Sequence, residues 1–296
     1  MTVTQLPPEI IEKLRACQRD EITEREIYRR IARATPDPHN RGVLDRIADE
    51  ENGHYELWKR YTGTDLPPDR LRLFWYLFLA RVLGLTFAFR LMEKREKGAQ
   101  QMDPRILAAI PEAADVVAKE AEHEDEILGM LDEDRLRYMG SVVLGLNDAI
   151  VEFTGSLAGF TFALQDTKLI ALTGVVMGAA ASLSMGASEY LSQRSDAAPD
   201  DGINPKKAAI YTCAAYVVTV VLLVSPYLLL DNPFIALGCT LVAAIFVILC
   251  FTFYLSVARN LPFLRRFAEM AAISLGVAGI SFLIGILVRM VLHVDV

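Results

Sequence analysis

The chain has 296 residues, 53% of them hydrophobic, and its 37 Asp and Glu against 30 Lys and Arg give a formal net charge of −7. That length has room for two modest domains, and the acidic balance argues against a nucleic-acid binder while suiting a cationic ligand. The averages conceal a split: 27 of the 37 acidic and 22 of the 30 basic residues fall in residues 1–137, and the rest is nearly charge-free. A soluble acidic part is therefore expected to precede a membrane part.

Met1 to Arg15 contains no apolar core and no small-residue cleavage pattern. No signal peptide is read there, and the soluble part is expected to stay in the cytoplasm. Four helical segments follow, separated by Thr35-Pro36-Asp37-Pro38, Thr62-Gly63-Thr64-Asp65-Leu66-Pro67-Pro68 and Met102-Asp103-Pro104. The fourth runs from about Pro111 to Asp132. Short connections between long amphipathic helices predict an antiparallel bundle. Leu73–Phe89 is apolar enough to imitate a membrane span, but Arg81 sits in its middle, Arg70 and Arg72 precede it, and Arg90 to Glu96 continue it as a charged helix. It is expected as one long bundle helix whose surplus apolar surface forms a dimer contact.

Alternating steps of three and four trace the seam of each helix. Helix one gives Leu14, Cys17, Glu21, Glu24, Tyr28 and Ile31; helix two gives Leu44, Ile47, Glu51, His54 and Trp58. Helix three gives Leu79, Val82, Thr86, Phe89, Glu93 and Glu96; helix four gives Ala113, Val116, Glu120, His123, Ile127 and Met130. Every apolar seam is interrupted by carboxylates, and two of them by Glu followed three residues later by His. Clustered buried carboxylates repel one another and force protons on, a cost that a multivalent cation removes. A Glu from each of two helices plus Glu-x-x-His from each of the other two is the ligand set of di-iron and di-manganese carboxylate bundles. Glu21, Glu51, His54, Glu93, Glu120 and His123 supply it here, with Glu96 as a further ligand. Glu24, Glu50, Glu122, Glu124 and Glu126 are read mostly as solvated face or as support for the ligands.

Beyond residue 138 come five apolar segments: Met139–Leu164, Leu169–Ala187, Ala208–Leu230, Asn232–Ala258 and Met270–Val288. Each reaches the roughly 18 residues that mark a spanning helix. Arg135, Arg137, Arg194, Lys206, Lys207, Arg259, Arg265 and Arg266 fall on the N-terminal side, with only Lys168 and Arg289 opposite. The excess of basic residues places the N-terminus inside and the C-terminus outside.

Ionisable residues within a span are costly and therefore point to function. Asp148 and Glu152 lie one turn apart on the first span, and Glu189 lies near the inner end of the second, one turn after Met185. A soft thioether beside carboxylates suits a transition metal better than Ca²⁺ or Mg²⁺. Gly155-x₃-Gly159 and Gly174-x₃-Gly178 allow close helix approach. Cys17, Cys213, Cys239 and Cys250 form no CxxC and are read as structural.

With these residues in view, the soluble part resembles the rubrerythrin-like branch of the ferritin-like proteins, Glu93-x-x-Glu96 being the feature that points to that branch. The membrane part resembles the vacuolar iron transporter family at Gly145-Leu146-Asn147-Asp148-Ala149-Ile150-Val151 and at Ser184-Met185-Gly186-Ala187-Ser188-Glu189-Tyr190-Leu191-Ser192. Together they are similar to the membrane-bound ferritin subgroup of bacterial iron exporters. The expected fold is all-α: a ferritin-like four-helix bundle over residues 1–134, followed by a five-span helical membrane domain over residues 135–296.

The resemblance implies a homodimeric transporter in the bacterial inner membrane, with a pathway that uses the Asp and Met matching Asp148 and Met185. It implies Fe²⁺ as the transported substrate, manganese as an alternative, and protons as the counter-ion. The carboxylate-rich insert that vacuolar transporters carry between their second and third spans is replaced here by a short loop, about Ser195–Lys207, so metal capture is expected to pass to the N-terminal di-iron domain. Expelling a divalent cation against an inside-negative potential costs roughly 4.6 kcal/mol per 100 mV, twice the single-charge value. With no nucleotide-binding motif in the sequence, exchange for protons carried by Asp148 or Glu152 would balance that charge. The rival reading is a membrane-anchored di-iron ferroxidase or peroxidase, which has no use for carboxylates inside the bilayer. A metal store or sensor is the third.

Overall fold

The computed structural model describes residues 6–99, 103–130, 138–195 and 203–292, without the side chains of 95–99, 124, 128, 130 and 292. Every regular element among the described residues is helical, and the chain divides into two compact units, Met1–Glu133 and Asp134–Val296.

In the first unit α1 (Pro8–Ala34) starts on a proline at its first turn, where the missing N–H costs nothing. α2 (Pro38–Thr62) is capped by Asp37, which accepts from the Asn40 N–H, and stops at Gly63, whose φ of 64° needs a residue without Cβ. Gln18 ties α1 to the end of α2: its amide donates to the Thr64 carbonyl at 2.9 Å and its oxygen accepts from Thr62 Oγ1 at 2.7 Å. α3 (Arg70–Leu83) is capped by Asp69 and followed directly by α4 (Leu85–Ala99).

This corrects the expectation of a single third helix. Gly84 takes φ 101° and ψ 159°, a conformation that favours glycine, and breaks the run. The break also shifts the phase: Leu79, Thr86, Phe89 and Glu93 are buried, but Val82 is exposed. A short α5 (Pro104–Ala109), capped by Asp103, was not foreseen; it adds Ile106 to the core formed with Leu14, Leu57, Trp58 and Val116. α6 (Ala113–Met130) completes the unit. α1 packs on α2, α2 on α6, α6 on α4, and α3 on α1, so the contacts close a ring of four members in which α3 and α4 share one place.

The second unit consists of α7 (Met139–Leu164), α8 (Thr167–Ser195), α9 (Pro205–Leu229), α10 (Pro233–Ala258) and α11 (Phe263–Leu292). All five are long and apolar enough to cross a membrane, so the chain is a membrane protein. α8 and α11 outrun their apolar segments at both ends, because polar and charged residues complete their end turns, whereas α7 keeps the expected bounds and Asn204 and Asn232 cap α9 and α10, each followed by proline.

α7 is the central helix and packs against each of the other four. Glycine lets its neighbours approach. A Cβ on Gly145 would lie 2.4 Å from the Thr212 carbonyl of α9, and one on Gly285 of α11 would lie 2.4 Å from the Gly159 carbonyl of α7. Gly155 also faces α11, while Gly174 and Gly178 face Val224 and Val220 of α9. Both small-residue motifs thus serve packing within this chain.

Candidate metal centre and transport residues

The first site is built on α1, α2 and α6. On α2 the three- and four-residue seam carries Glu51, His54 and Trp58 inward, all buried. Trp58 Nε1 donates to Glu21 Oε1 of α1 at 2.9 Å, which fixes that carboxylate. One ligand atom from each of Glu21, Glu51, His54 and Glu120 lies within 4.8 Å of every other. His54 Nδ1 is 2.9 Å from Glu120 Oε1, 3.3 Å from Glu51 Oε2 and 3.6 Å from Glu21 Oε2.

Glu51 is shared. Its other oxygen, Oε1, lies 3.1 Å from His123 Nδ1, and the rings of His54 and His123 stack with centroids 5.9 Å apart. His123 Nε2 meets Glu50 Oε2 at 2.7 Å. Glu50 also takes Arg46 at 2.9 Å and Lys119 at 3.2 Å. The sequence reading put Glu50 among residues serving as solvated face or as support for the ligands, and its contact with His123 gives it the supporting place. Of the other residues so placed, Glu126 pairs with Arg46, Glu122 is exposed, Glu24 is half-buried and the Glu124 side chain lies outside the described residues.

Glu93 and Glu96 are the remaining expected ligands. Glu93 is buried on α4 and pairs with Arg90 at 3.1 Å, outside the group of four. The Glu96 side chain lies outside the described residues.

The charges in this pocket depend on one another. Burial pushes the Glu21 carboxyl well up, reinforced by the charges of Glu51 and Glu120 against the opposing contact with His54. Glu120 is raised too, first by burial. Burial acts in the same direction on Glu51, but His123 and His54 more than reverse it and hold Glu51 at about 2. Burial would lower His54; its contacts with Glu120, Glu21 and Glu51 instead push it up to about 12. His123 is raised by Glu51 and Glu50 against the same burial.

Glu120 Oε1 is buried without a hydrogen bond among the described residues, and His54 Nδ1 lies 2.9 Å from it as an ion-pair partner. A buried carboxylate oxygen that accepts no hydrogen bond, beside three other carboxylate and imidazole donors within ligand spacing, could hold a metal ion.

The second set of residues lies on α7, α8 and α9. Ser141, Gly145, Asp148 and Glu152 follow one another on α7 at steps of three and four, and Gly145 brings this stripe against Thr212 of α9. Tyr216 of α9, itself buried, donates its hydroxyl to Glu152 Oε2. Asp148 is half-buried and has no hydrogen bond or ion pair among the described residues. Its neighbour Asn147 has a buried Oδ1 without a partner. Met185 packs against the core of the unit. Glu189 is buried on α8; its Oε1 accepts from Ser141 Oγ at 2.7 Å and from Gln193 Nε2 at 3.0 Å. Ser141, Gln193 and Tyr216 were missed by the sequence reading. A tyrosine in an otherwise apolar span was the usable signal, since its hydroxyl seeks a partner when buried.

Residues 139–200 match the VIT family. Comparison with curated proteins returned no match, nor did comparison with solved structures. The VIT stretch covers α7 and α8 and contains Asp148, Glu152, Met185 and Glu189. The match points to membrane transport of a metal such as iron or manganese.

Proposed function

We propose that the protein exports Fe²⁺, with manganese as an alternative substrate, from the cytoplasm across the bacterial inner membrane in exchange for protons. The observation that carries this reading is the coexistence in one chain of a buried Glu21–Glu51–His54–Glu120 group and a VIT stretch containing Asp148 and Met185. In this reading residues 1–134 form a ferritin-like domain of the rubrerythrin-like branch. Glu21, Glu51, His54 and Glu120 would hold one metal ion there, and His123, Glu93 and Glu96 would complete a di-iron site. A bound transition metal supplies the positive charge that lets these carboxylates share one apolar pocket. The protein's own contribution is to orient them: Trp58 holds Glu21, and Glu50 holds the far side of the His123 ring.

Residues 135–296 would form the transport domain, N-terminus inside and C-terminus outside, assembled as a homodimer. Asp148 with Met185 would receive the ion, Glu189 would lie at the cytoplasmic end of the path, and Glu152 would carry protons. Asn147 Oδ1 and Asp148, adjacent and unpartnered, support an ion passing at their level. The deciding experiment measures iron efflux from loaded proteoliposomes for the intact chain, for Asp148→Ala and for a chain lacking residues 1–134. Export predicts that Asp148→Ala stops efflux and that the truncated chain loses efflux at low iron. Efflux indifferent to Asp148 ends the proposal.

The buried Glu/His group also favours a second reading, a membrane-anchored di-iron ferroxidase or peroxidase. Iron oxidation in a chain with no efflux, unaffected by Asp148→Ala, would establish it.

A further inference from the structure

The outer face of α3 is a feature of the first unit that metal handling does not use. α3 turns Leu73, Tyr76 and Leu79 into the unit. It leaves Leu71, Phe74, Trp75, Phe78 and Val82 outside, with exposures of 79%, 66%, 52%, 44% and 49%. Counted from Leu71 these are positions i, i+3, i+4, i+7 and i+11, one continuous stripe. The rings are organised: Phe78 stacks on Phe74 at 6.4 Å and on Trp75 at 5.8 Å. The stripe ends where Gly84 breaks the helix, and Phe87, Ala88, Phe89 and Met92 of α4 are buried.

Its charge is equally one-sided. In a unit rich in acid, α3 contains Arg70, Arg72 and Arg81 and no Asp or Glu. Arg72 is tied to Asp20. Arg70 and Arg81 are exposed and have no ion pair among the described residues.

We propose that α3 lies in the interface of an anionic lipid leaflet, with its aromatic stripe at the boundary of headgroups and acyl chains and Arg70 and Arg81 on lipid phosphates. An amphipathic helix with Trp and Phe on one face and flanking arginines has the composition of an interfacial helix. The bilayer is always at hand, because the same chain carries five spans and so meets it at high effective concentration. A second copy is a poorer occupant. A two-fold contact through this face sets the same patch against itself, so arginine meets arginine with no acid on either helix to offset it. The inference depends on the five spans and not on the metal reading, so a failed transport assay leaves it standing.

The test uses the full-length protein in liposomes, where tryptophan reports directly. The chain has two Trp: Trp58, wholly buried and bonded to Glu21, and Trp75. Subtracting the emission of Trp75→Phe from that of the parent isolates Trp75. In phosphatidylglycerol-containing vesicles, brominated acyl chains should remove most of the Trp75 signal while aqueous acrylamide leaves it. Arg70→Ala with Arg81→Ala should lower the ratio of docked to undocked protein roughly 30-fold, as should exchanging phosphatidylglycerol for phosphatidylcholine. Trp75 quenched by acrylamide but not by brominated lipid overturns the proposal, because the face is then in water. Quenching by neither overturns it in favour of a protein cover, a second copy of the chain. Lipid quenching that ignores both arginines and the headgroup also overturns it, since the phosphate contacts are part of the claim.

Discussion

In the first unit Glu51 is shared by two imidazoles, His54 on one oxygen and His123 on the other, whereas in the membrane unit Glu189 is held by a hydroxyl and an amide and Glu152 by a phenol. The difference lies in the partner's charge. Imidazoles can take protons and stand in for a cation, so the Glu/His pocket is balanced as it is and can exchange its protons for a metal. Hydroxyls and amides give hydrogen bonds but no positive charge. Among the described residues no cationic side chain pairs with Asp148, Glu152 or Glu189, an arrangement that leaves these carboxylates open to a mobile positive charge. The first arrangement suits a resident ion and the second a passing one.

The largest effect should come from the membrane side. Asp148→Ala is expected to reduce metal flux in proteoliposomes to background while leaving the metal content of the purified protein intact. Loss of both would mean that the two units do not divide storage from passage, and the comparison would break.

Glu51→Ala should do the reverse. It removes the carboxylate shared by His54 and His123 and should abolish metal binding to the first unit. Breaking a buried ion pair by deleting one partner costs roughly 3–5 kcal/mol, so the first unit should also unfold earlier on heating. Metal analysis with thermal denaturation of the full chain checks both. Flux at saturating iron should survive.

How far these residues could be read beforehand also differs between the units. α7 begins and ends at the residues expected from apolar content, because hydrophobic length alone delimits a span. In α2 the seam of Leu44, Ile47, Glu51, His54 and Trp58 is buried throughout, since an unbroken helix keeps its phase. Phase was lost in the third segment, where Val82 was assigned inward across Gly84. A glycine in an otherwise apolar run does not declare whether it will take a positive φ. Pair partners were legible least of all: Glu50 and Tyr216 are set by how helices dock, and periodicity along one helix carries no information about its neighbour.

A third effect follows from the protonation of the Glu/His pocket. His54, pushed up to about 12, keeps its proton throughout the range from pH 5 to 8, and Glu51, held at about 2, stays ionised there. A metal that takes His54 as ligand must displace that proton. Affinity should therefore weaken as pH falls, by about tenfold per pH unit for each proton displaced. The raised carboxyls of Glu21 and Glu120 steepen the slope wherever they hold protons. Manganese titration calorimetry on Asp148→Ala, in buffers of different ionisation heat, counts the protons released. A count of zero would remove His54 from the ligand set.

The smallest effect tests whether polar pairs in the membrane unit without a carboxylate are merely structural. Thr154 Oγ1 of α7 lies 2.9 Å from Ser274 Oγ of α11, and both residues are buried. Thr154 also bonds the Ile150 carbonyl of its own helix at 2.7 Å. Interhelical hydrogen bonds in a bilayer average only about 0.6 kcal/mol, because helices separated in lipid still find partners. Thr154→Val keeps the branched shape and removes the hydroxyl, so it should cost about that much in unfolding of the reconstituted protein and leave flux unchanged. A large loss of flux without a loss of stability would place Thr154 on the ion's path, although it sits on α7 only one turn from Ile150 and faces α11 rather than Tyr216. The division between charge-bearing and packing contacts in this unit would then have to be redrawn.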